Sequence, residues 1–147
     1  MCIRDRIYTL DNGMKIFLIE DHELPLINVS ARIRSGWHHE PAGKAGLGDI
    51  FGQVQREGGT SKMTGDEIDD FLESRAASIE TGVGGDVASA GMNCLSEDFD
   101  EVFGLFSDIL REPVFAEDKI ELAKVQLNAT IARRNDNVGS IVGRWSR

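Results

Sequence analysis

Few side chains in this 147-residue chain could do chemistry, and their spacing argues against most of the options. His38, His39 and Glu40 stand together as a metal cluster might be imagined to, but adjacent residues on an extended segment point to opposite faces. With Pro41 next, they read as a solvated loop. His22, inside Asp21-His22-Glu23, reads as an exposed turn residue. Cys2 and Cys94 lie far apart and match no metal or redox spacing, and Cys94, ending an apolar run, reads as a small core residue. Local spacing suggests no Ser/His/Asp or Cys/His arrangement, although triads are assembled in space. Function is therefore sought in residues 46–60, GLGDIFGQVQREGGT, which the segments on either side are arranged to hold.

Those segments carry readable periods. IYTL at 7–10 and MKIFLIE at 14–20 predict two strands, joined by Asp11-Asn12-Gly13, residues that tolerate positive φ. In LINVSARIRSG, at 26–36, alternating Ile27, Val29, Ala31 and Ile33 put one face on a core and predict an antiparallel sheet covered on that side only. Thr64-Gly65-Asp66-Glu67 reads as a capping box, with Ile68, Phe71 and Leu72 forming the buried stripe of the helix it starts. SIETGV at 78–83 and DVASAGMNCL at 86–95 predict a second hairpin through Gly84-Gly85, joining the same sheet. Ser96 with Glu97 and Asp98 marks a helix start, followed by a stripe of Phe99, Val102, Phe103, Phe106, Ile109 and Leu110. Pro113 ends that helix, and Glu117 and Asp118 open another whose inner face is Ile120, Ala123, Leu127 and Ile131. After it, only Gly139 and Gly143 hint at a stop. The fold class expected is α+β, an antiparallel-rich sheet with helices packed on one face.

Composition narrows the function classes. Apolar residues at 41%, charged residues at 28% and only three prolines describe a soluble globular chain rather than a disordered one. A net charge of −9 argues against a phosphate-binding surface, so nucleic acid is not expected as a partner. No segment is apolar for long enough to cross a bilayer as a helix. The opening MCIRDR carries neither the apolar region nor the cleavage site of a signal peptide, and residues 1–6 read as a non-native or truncated start.

The residues now in view carry a resemblance. Tyr8-Thr9-Leu10-Asp11-Asn12-Gly13-Met14-Lys15, the strand ending Arg34-Ser35-Gly36, the Gly46-Leu47 helix start, Gly58-Gly59-Thr60 and Pro113-Val114-Phe115 together resemble the N-terminal domain of the pitrilysin/insulinase metallopeptidases, family M16. The likeness covers residues 7–147 and implies one α+β half-domain, cut short at its C-terminal end, from a family whose domains occur in pairs. In that family the helix after Gly-Leu bears HxxEH, two histidines at i and i+4 that bind zinc and a glutamate that takes a proton from the zinc-bound water. The matching positions here are Asp49, Ile50, Phe51, Gly52 and Gln53, so the ligand positions hold Asp49 and Gln53 and the general-base position holds Gly52. The family's third ligand, a glutamate on a later helix, corresponds to Thr130, which shares the inner face with Leu127. An amide and a hydroxyl suit hard cations at best. No cofactor is therefore expected, zinc entering only if the metal site has been rebuilt. Gly48 and Gly52 each weaken a helix by about 1 kcal/mol relative to Ala, and neither can serve a metal.

What the resemblance implies for function follows from that loss. The family binds substrates as an added strand on a sheet edge inside a closed chamber. The matching strand runs through Ile79, Glu80 and Thr81, with Glu80 where active relatives show Asn; it reads either as a recognition strand or as an ordinary covered edge. Two functions are expected. One is a non-catalytic subunit or half that pairs with an active M16 zinc peptidase, or with a second half of the same polypeptide, and helps form its peptide-binding chamber. The alternative is an active zinc metalloendopeptidase with a rebuilt metal site or a site outside this stretch. Similar bacterial proteins suggest a periplasmic location.

Overall fold

A computed structural model describes residues 6–133; residues 1–5, Cys2 among them, and the glycines at 139 and 143 lie outside the described residues. The elements run β1 (Arg6–Thr9), β2 (Lys15–Leu18), β3 (Leu26–Ile33), α1 (Leu47–Glu57), α2 (Gly65–Glu73), β4 (Ser78–Val83), β5 (Ala88–Leu95), α3 (Phe99–Arg111) and α4 (Glu117–Arg133). The strands are antiparallel throughout, which gives the expected α+β fold.

The first hairpin forms as its turn chemistry dictates. Gly13 takes φ +83, which a glycine adopts without steric penalty, and Asn12 Oδ1 accepts from Met14 N at 3.0 Å. Tyr8 pairs with Ile16 and Arg6 with Leu18, so the strand takes in the last residue of the segment set apart from the domain. One expectation is corrected here. Among the described residues β1 and β2 make a two-stranded sheet of their own, while β3, β5 and β4 make a second sheet in that order. β3 pairs with β5 over eight residues, from Leu26 opposite Leu95 to Ile33 opposite Ala88, while β1 and β2 pair with each other over four.

The alternation in β3 works as predicted through Ala31. Ile27, Val29 and Ala31 stand opposite Cys94, Met92 and Ala90, and Met92 is in turn opposite Ile79 of β4. That apolar face meets Ile68 and Leu72 of α2 and Val102, Leu105, Phe106 and Ile109 of α3, forming one core. Ile68, Ile79, Val102, Cys94 and Ile109 are fully buried; each large aliphatic among them stabilises the fold by about 1.5–3 kcal/mol. Burial also pushes the Cys94 thiol pKa up, which suits an inert core residue. In α3 the core takes Leu105 and leaves Phe103 exposed, because Val102, Leu105, Phe106 and Ile109 fall at i, i+3, i+4 and i+7.

Of the two side-chain caps expected, at Thr64 and Ser96, one is kept and one corrected. Thr64 Oγ1 accepts from Glu67 N at 3.3 Å while Glu67 Oε2 accepts from Thr64 N at 2.7 Å, so the capping box is complete. Ser96 does not cap α3. Residues Ser96–Asp98 form a 3-10 turn with no side-chain cap, and Ser96 N instead donates to Pro25 O at 2.9 Å, tying the end of β5 to the start of β3. Among the described residues no helix is long and apolar enough to cross a membrane.

Candidate functional site

The site is centred on α1, and its position follows from an unusual start. Gly46 has φ +90 and offers no side chain, so the cap comes from outside the helix. Glu40 Oε1 accepts from Gly48 N at 2.6 Å and Oε2 from Gly46 N at 3.1 Å, placing a carboxylate at the positive end of the helix dipole. His38 and His39 are exposed, as a solvated loop implies, and only Glu40 departs from that reading. Trp37–His39 wind into a short 3-10 turn, and the three side chains part company: Glu40 caps α1, and His38 Nδ1 meets Asp86 Oδ1 at 2.7 Å.

Gly52 is buried against β4. A Cβ there would stand 2.9 Å from Val83 N and 3.0 Å from Gly82 Cα, both backbone atoms. Thr81 Oγ1 donates to the Gly52 carbonyl at 2.7 Å, so helix and strand are pinned at this residue. Gly48, one turn earlier, would bring a Cβ to 2.9 Å from Trp37 Cδ1 and 3.0 Å from Val83 Cγ1. The two glycines thus exchange helix propensity for close approach of α1 to the sheet.

Asp49 is exposed in the first turn of α1, and Gln53 sits one turn on. The Gln53 amide nitrogen donates to Gln126 Oε1 of α4 at 2.6 Å and to Glu57 Oε2 at 3.2 Å. Thr130 is exposed, and its hydroxyl donates to the Gln126 carbonyl within its own helix at 3.0 Å. The inner face of α4 therefore ends earlier than its period predicts: Ala123 is buried and Leu127 half-buried, but every described residue after Leu127 is exposed, Ile131 included. Among the described residues, none covers the face on which Thr130 lies.

Asp49, Gly52, Gln53, Arg56, Glu57 and residues 80–83 of β4 line a cleft of about 370 Å³. Glu80 is exposed beside it, Thr81 is half-buried and turned to the helix, and Ile79 is wholly in the core, leaving only its backbone for any ligand. Arg56 pairs with Asp69, while its Nε is buried with no hydrogen-bond partner among the described residues. These donors do not fit a zinc site of the His/His/Glu kind. They supply no imidazole or thiolate, leaving only oxygen donors: the Gln53 amide nitrogen donates to two other side chains and the Thr130 hydroxyl donates to its own helix backbone. Among the described residues no three His, Cys, Asp or Glu side chains converge as metal ligands do.

Sequence reasoning missed Glu40, Glu57 and Gln126. Gln126 carried a weak signal, lying one helical turn before Thr130 on α4. Glu40 carried none, since its cap reaches across six and eight residues of loop.

Comparison with known proteins bears on the family and the fold. The chain is 24% identical over 143 residues to the mitochondrial-processing peptidase subunit alpha of Caenorhabditis elegans, covering 95% of this chain and 28% of that protein. It is 25% identical over 118 residues to the non-peptidase homolog YmxG of Helicobacter pylori, covering 80% of this chain and 27% of that protein. Among solved structures, a peptidase M16 inactive domain from Pseudomonas fluorescens superposes with a TM-score of 0.85 at 21% identity, over 96% of this chain and 34% of that one. A protease from Helicobacter pylori superposes with a TM-score of 0.79 at 16% identity, over 95% of this chain and 34% of that one. The chain thus spans under a third of the length of these two relatives by sequence. A family model described as Insulinase (Peptidase family M16) matches residues 15–143. Because that match runs from the second strand to beyond the described end of α4, this chain belongs to the insulinase family of peptidases, family M16.

Proposed function

We propose that this chain is part of a non-catalytic M16 protein that contributes wall and peptide-binding surface to a chamber completed by an active zinc peptidase subunit or by another M16 half. The observation that carries the reading is the state of α1. Where the family's chemistry calls for two imidazoles and a carboxylate base, Asp49, Gln53 and Gly52 stand, and the space beyond Gly52 Cα is filled by the β4 backbone. Any side chain there would start 2.9 Å from Val83 N and 3.0 Å from Gly82 Cα, so helix or strand would have to shift to admit it.

Two relatives support the reading by name, one a non-peptidase homolog and one an inactive domain, and the name of a third describes a subunit of a processing peptidase. Strand β4 has β5 on one side and no partner on the other among the described residues, so an extended peptide could add along Ile79, Glu80 and Thr81. The test has two arms. Equilibrated with zinc and then gel-filtered, the chain is expected to retain well under one zinc per molecule and to cleave no peptide. Mixed with an M16 subunit bearing HxxEH from the same cell, it is expected to co-elute. One tightly held zinc with chelator-sensitive cleavage would overturn the reading.

A further inference from the structure

At the end of β3, away from α1, a second cleft of about 400 Å³ is lined by Arg32, Ile33, Arg34, His39, Asp86 and Val87. We propose that it binds a peptide carboxylate attached to an apolar residue, a free C-terminus being the form that offers both together. The proposal goes beyond the function proposed above and does not depend on it.

The first support is that the walls are held rather than loose. Trp37 N donates to Gly84 O at 3.0 Å and His38 N to Gly85 O at 3.2 Å, which stitches the turn after β3 to the β4–β5 turn. Gly36 makes that crossing possible, since a Cβ there would stand 2.1 Å from Gly85 O. The residues on the cleft thus come from two backbones fixed against each other, the arrangement that lets a site recognise a ligand without first ordering itself.

The second support is charge. Asp86 is the one acid on the cleft, and His38 already engages its carboxylate at 2.7 Å. Among the described residues Arg32 and Arg34 have no acidic partner within 4.0 Å, although the chain carries 25 acidic residues against 16 Lys and Arg. Two guanidiniums on one cleft make a cationic rim in a protein of net charge −9. The planar fork of an arginine matches a carboxylate through paired N–H bonds.

The third support is the floor. Ile33 and Val87 also line the cleft and are 49% and 39% exposed, so a ligand that covered them would remove apolar surface from water. A site for bare phosphate would surround the anion with donors; here two apolar side chains share the lining with the arginines, which suits a carboxylate carried by an apolar residue.

Fluorescence anisotropy with the 147-residue chain tests this directly. A labelled heptapeptide ending in Leu with a free carboxylate is expected to bind, and the same peptide as its C-terminal amide to bind at least about tenfold more weakly. The double variant Arg32→Gln/Arg34→Gln is expected to lose a similar factor for the free acid with an unchanged circular-dichroism spectrum, both side chains being exposed. Arg32→Lys/Arg34→Lys should retain more affinity than the Gln pair. Equal binding of acid and amide, unchanged affinity in the Gln variant, or displacement of the peptide by equimolar inorganic phosphate would each overturn the proposal.

Discussion

Gln53 of α1 donates through its amide nitrogen to Gln126 Oε1 of α4 at 2.6 Å, across 73 residues of chain. A neutral amide pair now links two helices at this level. Such a pair needs no metal, and it occupies the Gln53 side chain.

Removing that link should be measurable but small. Gln53→Ala and Gln126→Ala are each expected to lower stability by about 0.5–1.5 kcal/mol, and a double-mutant cycle in urea should return a coupling of about 0.5–1 kcal/mol. Additive losses would show that the bond contributes nothing in solution.

Glycines on two helices should respond oppositely to Ala. Gly52→Ala gains helix propensity but drives a Cβ to 2.9 Å from Val83 N, and a net loss of about 1–3 kcal/mol is expected. Gly104 in α3 is exposed, and a Cβ there meets nothing within 4 Å among the described residues, so Gly104→Ala should gain about 0.5–1 kcal/mol. Thermal melts of the two variants distinguish packing from propensity.

On β4, neighbouring residues should separate core from surface. Ile79→Ala is expected to cost about 2–5 kcal/mol because Ile79 is fully buried. Glu80→Ala should stay within about 0.5 kcal/mol of the parent, leaving any change in peptide binding attributable to the strand's edge.

The capping box predicts a pH effect of definite sign. Bonds from the Thr64 backbone and hydroxyl hold the Glu67 carboxyl below its ordinary range. A depressed folded value means that the stabilisation is present above the unfolded pKa and is lost as pH falls through the folded one. Melts across the acidic range should therefore show parent and Glu67→Gln converging as pH drops. A gap that held constant to the lowest pH would contradict the capping role.

At the end of α2, Ala76 adopts φ +49, a left-handed conformation that carries a penalty for any residue with a Cβ. Ala76→Gly is expected to raise stability by about 1 kcal/mol, read from the midpoint of a denaturant titration.

Much of the fold could be read locally, because the signals lie within a few residues of one another. The positive-φ turn at Gly13, the Thr64–Glu67 box, the strand Ser78–Val83 and the alternation Ile27, Val29, Ala31 each depend on a period or a cap that neighbouring residues supply. The family signature could be read too, since its glycines mark backbone needs. Gly59 takes φ +80, and a Cβ on Gly58 would stand 2.2 Å from Val114 O, so the Gly-Gly pair is demanded by the crossing of α1 with the segment before α4. The residue types at 49, 52 and 53 were equally plain.

Tertiary structure decided what those residues do. No local pattern could bring Gln53 to a partner 73 residues away, set the Glu40 carboxylate on the start of α1, or gather Arg32, Arg34 and His39 round one cleft. Nor could it show that Gly52 is filled space rather than a gap, since only the approach of β4 determines whether a missing side chain leaves room. Local sequence sets backbone preference and which face is apolar, through interactions a few residues long. Which side chains then share a site depends on how whole elements pack, and in this chain that packing brings Val83 N of β4 to 2.9 Å from where a Cβ on Gly52 would stand.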